Sequence, residues 1–228
     1  AAAYPFFDLY CTYTGQGADT LLPPAALWAT LSAFLIENYP ATIKHADSAI
    51  LNYDSVTAAI LLEYKVRSYA KLGNDSAWAA SLQQGVESYP YHDFFFVQLA
   101  DWYYGLRRFE EERALADKQI ALTGGKTIHY YAKSKSYLAE VNYEACIVYA
   151  DSTIALDKNY VDAYYNKGIA YLNMAVISQD ASCKDANDPQ YAIDKQRTQE
   201  LYVKARPCME MVRKLQPDNI DRWAPTLY

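Results

Sequence analysis

Ala116-Asp117-Lys118-Gln119-Ile120-Ala121-Leu122 returns 34 residues later as Ala150-Asp151-Ser152-Thr153-Ile154-Ala155-Leu156. The aromatic positions Phe96, Tyr130 and Tyr164 keep the same step, as do Tyr103, Tyr137 and Tyr171. A step of that length fits two short antiparallel helices with their turns. One such hairpin cannot bury its apolar face alone, so copies must stack on one another.

The phase extends outward from this stretch. Second-helix positions equivalent to Ala116 and Ala150 are Ala46, Leu82 and Met209; the steps are 36, 34, 34 and 59, the last being 34 plus 25 inserted residues. The spacing predicts hairpins over about residues 24–53, 56–89, 93–122 and 127–157, then a fifth interrupted by an insertion near 178–195. Asp221-Arg222-Trp223 opens one more first helix, unpaired over 219–228. Residues 1–23 lie outside the period. There Phe6, Leu9, Tyr10 and Tyr13 recur at helical spacing behind Pro5, which predicts a capping helix followed by a loop. The insertion is rich in Asp, Asn and Ser and carries Pro189, so it is expected to be an exposed loop or a helix extension.

Asp162-Ala163-Tyr164-Tyr165-Asn166-Lys167-Gly168-Ile169-Ala170-Tyr171 sets aromatic, small and aromatic residues in turn. Ala205 supplies a small partner on the next helix, and Pro217 stops it. This resembles the tetratricopeptide repeat, over about residues 24–228 and most strongly in the fourth and fifth hairpins. The second hairpin departs from that pattern at Trp78, and the third at Glu112 and Gln119, where small residues are usual.

The resemblance implies an all-α, right-handed superhelical solenoid of antiparallel helix hairpins. It implies a non-catalytic scaffold that binds a peptide or protein segment in a concave groove lined by the first helices. Matching phase carries the groove onto Glu63, Tyr64, Arg67 and Lys71 in the second hairpin, and Val97, Gln98, Asp101 and Tyr104 in the third. The fourth adds Tyr131, Lys135 and Leu138, and the fifth Tyr165, Asn166, Ile169 and Asn173. This set lacks the concentrated Lys, Asn and Arg by which some family members hold a C-terminal carboxylate. Tyrosines with amide neighbours suit an extended peptide. Two other readings stay open: a glycan-binding helical protein using exposed aromatics, and an assembly module docking through Trp223 to Tyr228.

Tyrosine supplies 23 of 228 residues, far above ordinary usage, and gives each position an apolar ring with a polar tip. The net charge of −6 comes without a basic cluster, which argues against nucleic acid and anionic membranes as partners. Nor is there an apolar run long enough to span a bilayer. The chain opens Ala1-Ala2-Ala3 without Met and reads as a mature product or a cut fragment, which leaves the compartment open.

No cofactor or metal is implied. Cys11, Cys146, Cys183 and Cys208 form no CxxC pair; Cys146 reads as a buried small hydrophobe, and Cys183 could pair with Cys208 in an exported chain. His45, His92 and His129 share no helical face, and the phrase Gly124-Gly125-Lys126-Thr127 has Ile120 where a phosphate loop needs glycine. Asp180, Asp185, Asp188 and Asp194 suggest a calcium loop, but Gln190 and Gln196 stand at the positions that loop reserves for glycine and glutamate. Glu110-Glu111-Glu112-Arg113 reads as the acidic first turn of a second helix.

Overall fold

The computed structural model describes Tyr4, Pro5, Asp8, Leu9 and residues 23–227. Most of the predicted capping segment, including Phe6, Tyr10, Tyr13 and the loop after it, lies outside the described residues, as does Tyr228. The four described N-terminal residues are helical, and Asp8 reaches the buried His45, with 2.9 Å between carboxylate and Nε2. Among the described residues the structure is helical throughout, without a strand.

The chain divides into two compact units, Ala1–Leu99 and Ala100–Tyr228. The first holds α1 (Pro23–Leu35), α2 (Tyr39–Ala49) with a 3₁₀ turn over Ile50–Asn52, α3 (Ser55–Lys71) and α4 (Asp75–Ser88). α5 (Asp93–Gly105) begins in the first unit and ends in the second. The second continues with α6 (Phe109–Thr123), α7 (Thr127–Ala139), α8 (Tyr143–Leu156), α9 (Val161–Ala181), α10 (Pro189–Leu215) and α11 (Ile220–Leu227). Chain neighbours pack on one another from α1 to α4 and from α6 to α11, and first helices also meet the first helix of the next hairpin, α1 on α3 and α7 on α9. This is an all-α helical-repeat fold.

The period read from the sequence is the period of the core. Ala46, Leu82, Ala116, Ala150 and Met209 are all at 0% exposure. Gly168 lies against Cys208 and Met209 of α10, where the absence of a side chain lets α9 and α10 approach closely.

The turns inside the hairpins repeat as well. Glu37, Gly73, Arg107 and Val141 have φ of 61°, 66°, 57° and 65°, so the same left-handed position closes α1, α3, α5 and α7. Each turn makes the two hydrogen bonds of a Schellman motif; in the last, Val141 N–H donates to Leu138 at 3.1 Å and Asn142 N–H to Tyr137 at 2.9 Å. The next residue then caps the following helix: Asn38, Asn74 and Asn142 each accept a bond from a backbone N–H three residues on. Only one of the four left-handed residues is glycine, which hid this signal in the sequence.

Gly124, at φ 80°, ends α6 in the left-handed conformation, so Gly124-Gly125 is a helix stop. Tyr143 follows the Asn142 cap directly as the first residue of α8. The insertion proves to be a helix extension. α9 runs on to Ala181 and α10 starts at Pro189, leaving 182–188 as the loop. Its aspartates are spent locally: Asp188 caps α10 through Gln190 N–H at 2.8 Å, and Asp194 accepts from Cys183 N–H at 2.9 Å. That bond sets Cys183 level with Asp194. Cys208 lies 14 residues further along α10, roughly 21 Å at the helical rise. Cys183 and Cys208 are accordingly free thiols, and the pairing considered from sequence is not formed.

Candidate functional site

In the first unit the phase-matched positions are occupied by packing. The Tyr64 ring meets Phe34 edge-on at 5.1 Å, tying α3 to α1. Arg67 is exposed; it pairs with Glu63 at 2.6 Å and lies over the Phe94 ring at 4.7 Å. His92 adds a 3.3 Å contact to the other Glu63 oxygen. Gln98 is half-buried on α5.

The second unit gathers its candidates more closely. Lys135 on α7 reaches back to Asp101 on α5 at 2.7 Å, and its ammonium lies 4.2 Å from the centre of the Tyr104 ring. Tyr131, one turn earlier on α7, packs against Tyr160 at 5.0 Å, just ahead of α9. At the other end Arg222 from α11 binds Asp162 at 2.7 Å and covers Tyr165 at 4.3 Å. Burial raises the Tyr131 and Tyr160 phenols, Tyr160 to about 12, and for both the nearby Asp162 adds to the rise. Both phenols therefore stay neutral and able to donate across the physiological range.

Asn166 is buried at 6% exposure, and its side-chain Nδ2 has no hydrogen-bond acceptor. An unpartnered buried amide is costly, so Asn166 is a destabilising position in the α9 core. Ile169 is half-buried one turn on.

Four participants were not in the set drawn from sequence: Glu112, Tyr160, Asp162 and Arg222. Glu112 had a signal, since it breaks the small-residue pattern. It is wholly buried, 3.6 Å from Lys135, and desolvation pushes its carboxyl up to about 7 against the partial relief from that lysine. Tyr160 and Asp162 flank the start of α9. Arg222 could not be placed without knowing that α11 packs beside α9.

The insertion builds a separate cavity of about 480 Å³, between the α7–α8 turn and the extended halves of α9 and α10. Val141, Met174, Ile177 and Leu201 line it with Glu144, Asp194 and Arg197. Among the described residues no group of His, Cys, Asp and Glu is placed to hold a metal ion, and no helix is long and apolar enough to cross a membrane.

Neither a protein-family model nor a curated protein matches the chain. Solved structures do. YrrB, described as a tetratricopeptide-repeat protein with an unusual peptide-binding site, superposes with a TM-score of 0.59 at 12% identity, over 97% of this chain and 98% of its own. The C-terminal part of a repeat-containing protein from Cytophaga hutchinsonii gives 0.57 at 14% identity, over 99% and 95%. A thermophilic protein from Thermus thermophilus gives 0.52 at 14%, over 89% and 97%. With the hairpin period, the buried phase positions and these likenesses in agreement, the chain has the tetratricopeptide-repeat fold.

Proposed function

We propose that the chain is a non-catalytic interaction scaffold, and that a peptide or protein segment binds the first-helix face of the second unit. The observation that carries this reading is the cluster of Tyr104, Tyr131, Tyr160 and Tyr165 interleaved with two ion pairs on α5, α7, α9 and α11. Half-buried tyrosines, each with a ring to pack and a hydroxyl to donate, suit a backbone that must be both gripped and oriented. The rings are half-buried and tilted or stacked on cations, which favours a peptide over a sugar, for which a flat exposed platform is the better fit. The peptide-binding site ascribed to YrrB, which shares the fold, supports the same reading.

The test is capture from native extract on immobilised wild-type chain and on a Tyr131→Ala, Tyr165→Ala double variant whose helicity is checked by circular dichroism. A partner retained by wild type alone, and protecting α7 and α9 from hydrogen exchange, is the expected result. Equal retention by both proteins would sink the assignment to this face and move attention to the cavity at the insertion.

A further inference from the structure

The two ion pairs on this face share an asymmetry. In the first, the Asp101 side chain is 61% exposed and Lys135 is 18% exposed; in the second, Asp162 is 43% exposed and Arg222 22%. Each cation is less exposed than its carboxylate and also lies over a tyrosine ring. Each has a further partner, Glu112 at 3.6 Å for Lys135 and Gln216 at 3.0 Å for Arg222. An approaching ligand therefore meets carboxylates and tyrosines, while the positive charges are already satisfied. An anionic ligand would have to draw Lys135 off both Asp101 and the Tyr104 ring, or Arg222 off Asp162 and Tyr165. A cationic one needs only the open side of each carboxylate.

From this geometry we propose that the partner segment is cationic: a Lys- or Arg-bearing peptide whose positive side chains meet Asp101 and Asp162 over the tyrosine rings. The proposal rests on the reading of this face as the binding surface and adds the chemistry of what binds. Charge around Tyr160 agrees. Burial raises its hydroxyl first, and Asp162, Asp101 and Asp157 add to the rise; at Tyr131 Asp162 also adds, with Arg222 partly opposing. Tyrosine faces attract ammonium and guanidinium groups in their own right. The chain as a whole carries −6, so a cationic segment is also drawn in from a distance.

Short fluorescein-labelled peptides in which alanine alternates with lysine, glutamate or glutamine test the assignment by anisotropy at low and moderate salt. The lysine peptide is expected to bind at least about tenfold more tightly than the other two, with affinity falling as salt rises. Asp101→Asn and Asp162→Asn should each weaken it, and Lys135→Met should tighten it by freeing Asp101. Asp117→Asn, an exposed carboxylate on α6 paired elsewhere, should leave it unchanged. Opposite signs from Asp101 and Lys135 would not arise if the pair were only structural.

Equal binding of all three peptides, lost in the Tyr131→Ala variant, would overturn the cationic assignment and keep the face as a binding surface. Lysine-peptide binding that Asp117→Asn weakens as much as Asp101→Asn does would mark diffuse attraction and overturn it too. No binding of the lysine peptide at about 1 mM overturns it as well, leaving the capture experiment to judge the face itself.

Discussion

Glu112 occupies, wholly buried, the place that Cys146 fills one period later. Neither carboxylate oxygen has a hydrogen-bond partner, and the charges facing it are Lys135 at 3.6 Å, Asp101 beyond that lysine, and Arg113 on its own helix. The folded chain holds this proton up to about pH 7, whereas the ordinary value is 4.5. Folding therefore takes up a proton between those values, and this group's contribution makes stability fall as pH rises through the window, by about 3 kcal/mol in all. Glu112→Gln removes the titration. Its urea midpoint is expected to match wild type at pH 5 and to exceed it at pH 8; a wild-type advantage at pH 8 would mean the charged carboxylate is stabilised by Lys135 after all. Val141 offers a second test. A β-branched residue at φ 65° is strained, whereas Gly73 meets the same geometry at no steric cost. Val141→Gly is expected to raise stability by about 1 kcal/mol. A lower midpoint would show that the valine side chain, on the rim of the insertion cavity, contributes more packing than its backbone loses.

Two glycines at helix crossings separate what a helix prefers from what its neighbour permits. A Cβ on Gly85 of α4 would stand 2.2 Å from the Phe95 ring of α5, itself fully buried and rigid. A Cβ on Gly168 of α9 would meet the Met209 methyl at 2.6 Å, the free end of a flexible chain, and Cys208 Cβ at 3.2 Å. Alanine gains about 1 kcal/mol of helix propensity at either site. Gly85→Ala is expected to lose by about 2–4 kcal/mol net because the ring cannot retreat, and Gly168→Ala by less than about 2. Thermal melts rank them; a larger loss at Gly168 would place the tighter crossing at α9–α10. Gly168 was legible in the sequence because it lies in the best-kept repeat, while Gly85 sits in a hairpin where Trp78 obscures the pattern. The same contrast runs through the helices. Hairpin limits came out within a residue or two because the alanine phrases that carry the 34-residue step are a local signal. The insertion's helical extension and the grouping of Tyr160, Asp162 and Arg222 depend on tertiary packing, which no local pattern carries. Lys65–Asp47, Lys133–Asp117 and Lys167–Asp151 tie successive hairpins by one recurring bridge, and the latter two keep the period of 34 in both partners. At the phase between them stand Gln83 and Leu99, so the bridge is not formed by every repeat.

Each of the two units closes its own core: Ala26, Ala46, Ala49 and Leu61 cluster in the first, and Ala150, Ala163, Ala205 and Met209 are buried in the second. In a repeat array stability is the sum of each hairpin and its nearest-neighbour contacts, so damage need not spread along the chain. Gly85→Ala serves as the probe, since its clash acts on Phe95 within the first unit. Hydrogen exchange is expected to speed up over α3 and α4 and the first turns of α5 while α7 through α10 keep wild-type protection. The second unit, with Asp101, Tyr131 and Asp162, would then still bind whatever the wild-type face binds, with affinity unchanged within about twofold. Loss of protection across α7 to α10 would show instead that the chain unfolds as one cooperative block. In that case the binding face draws its stability from hairpins that contribute no residue to it.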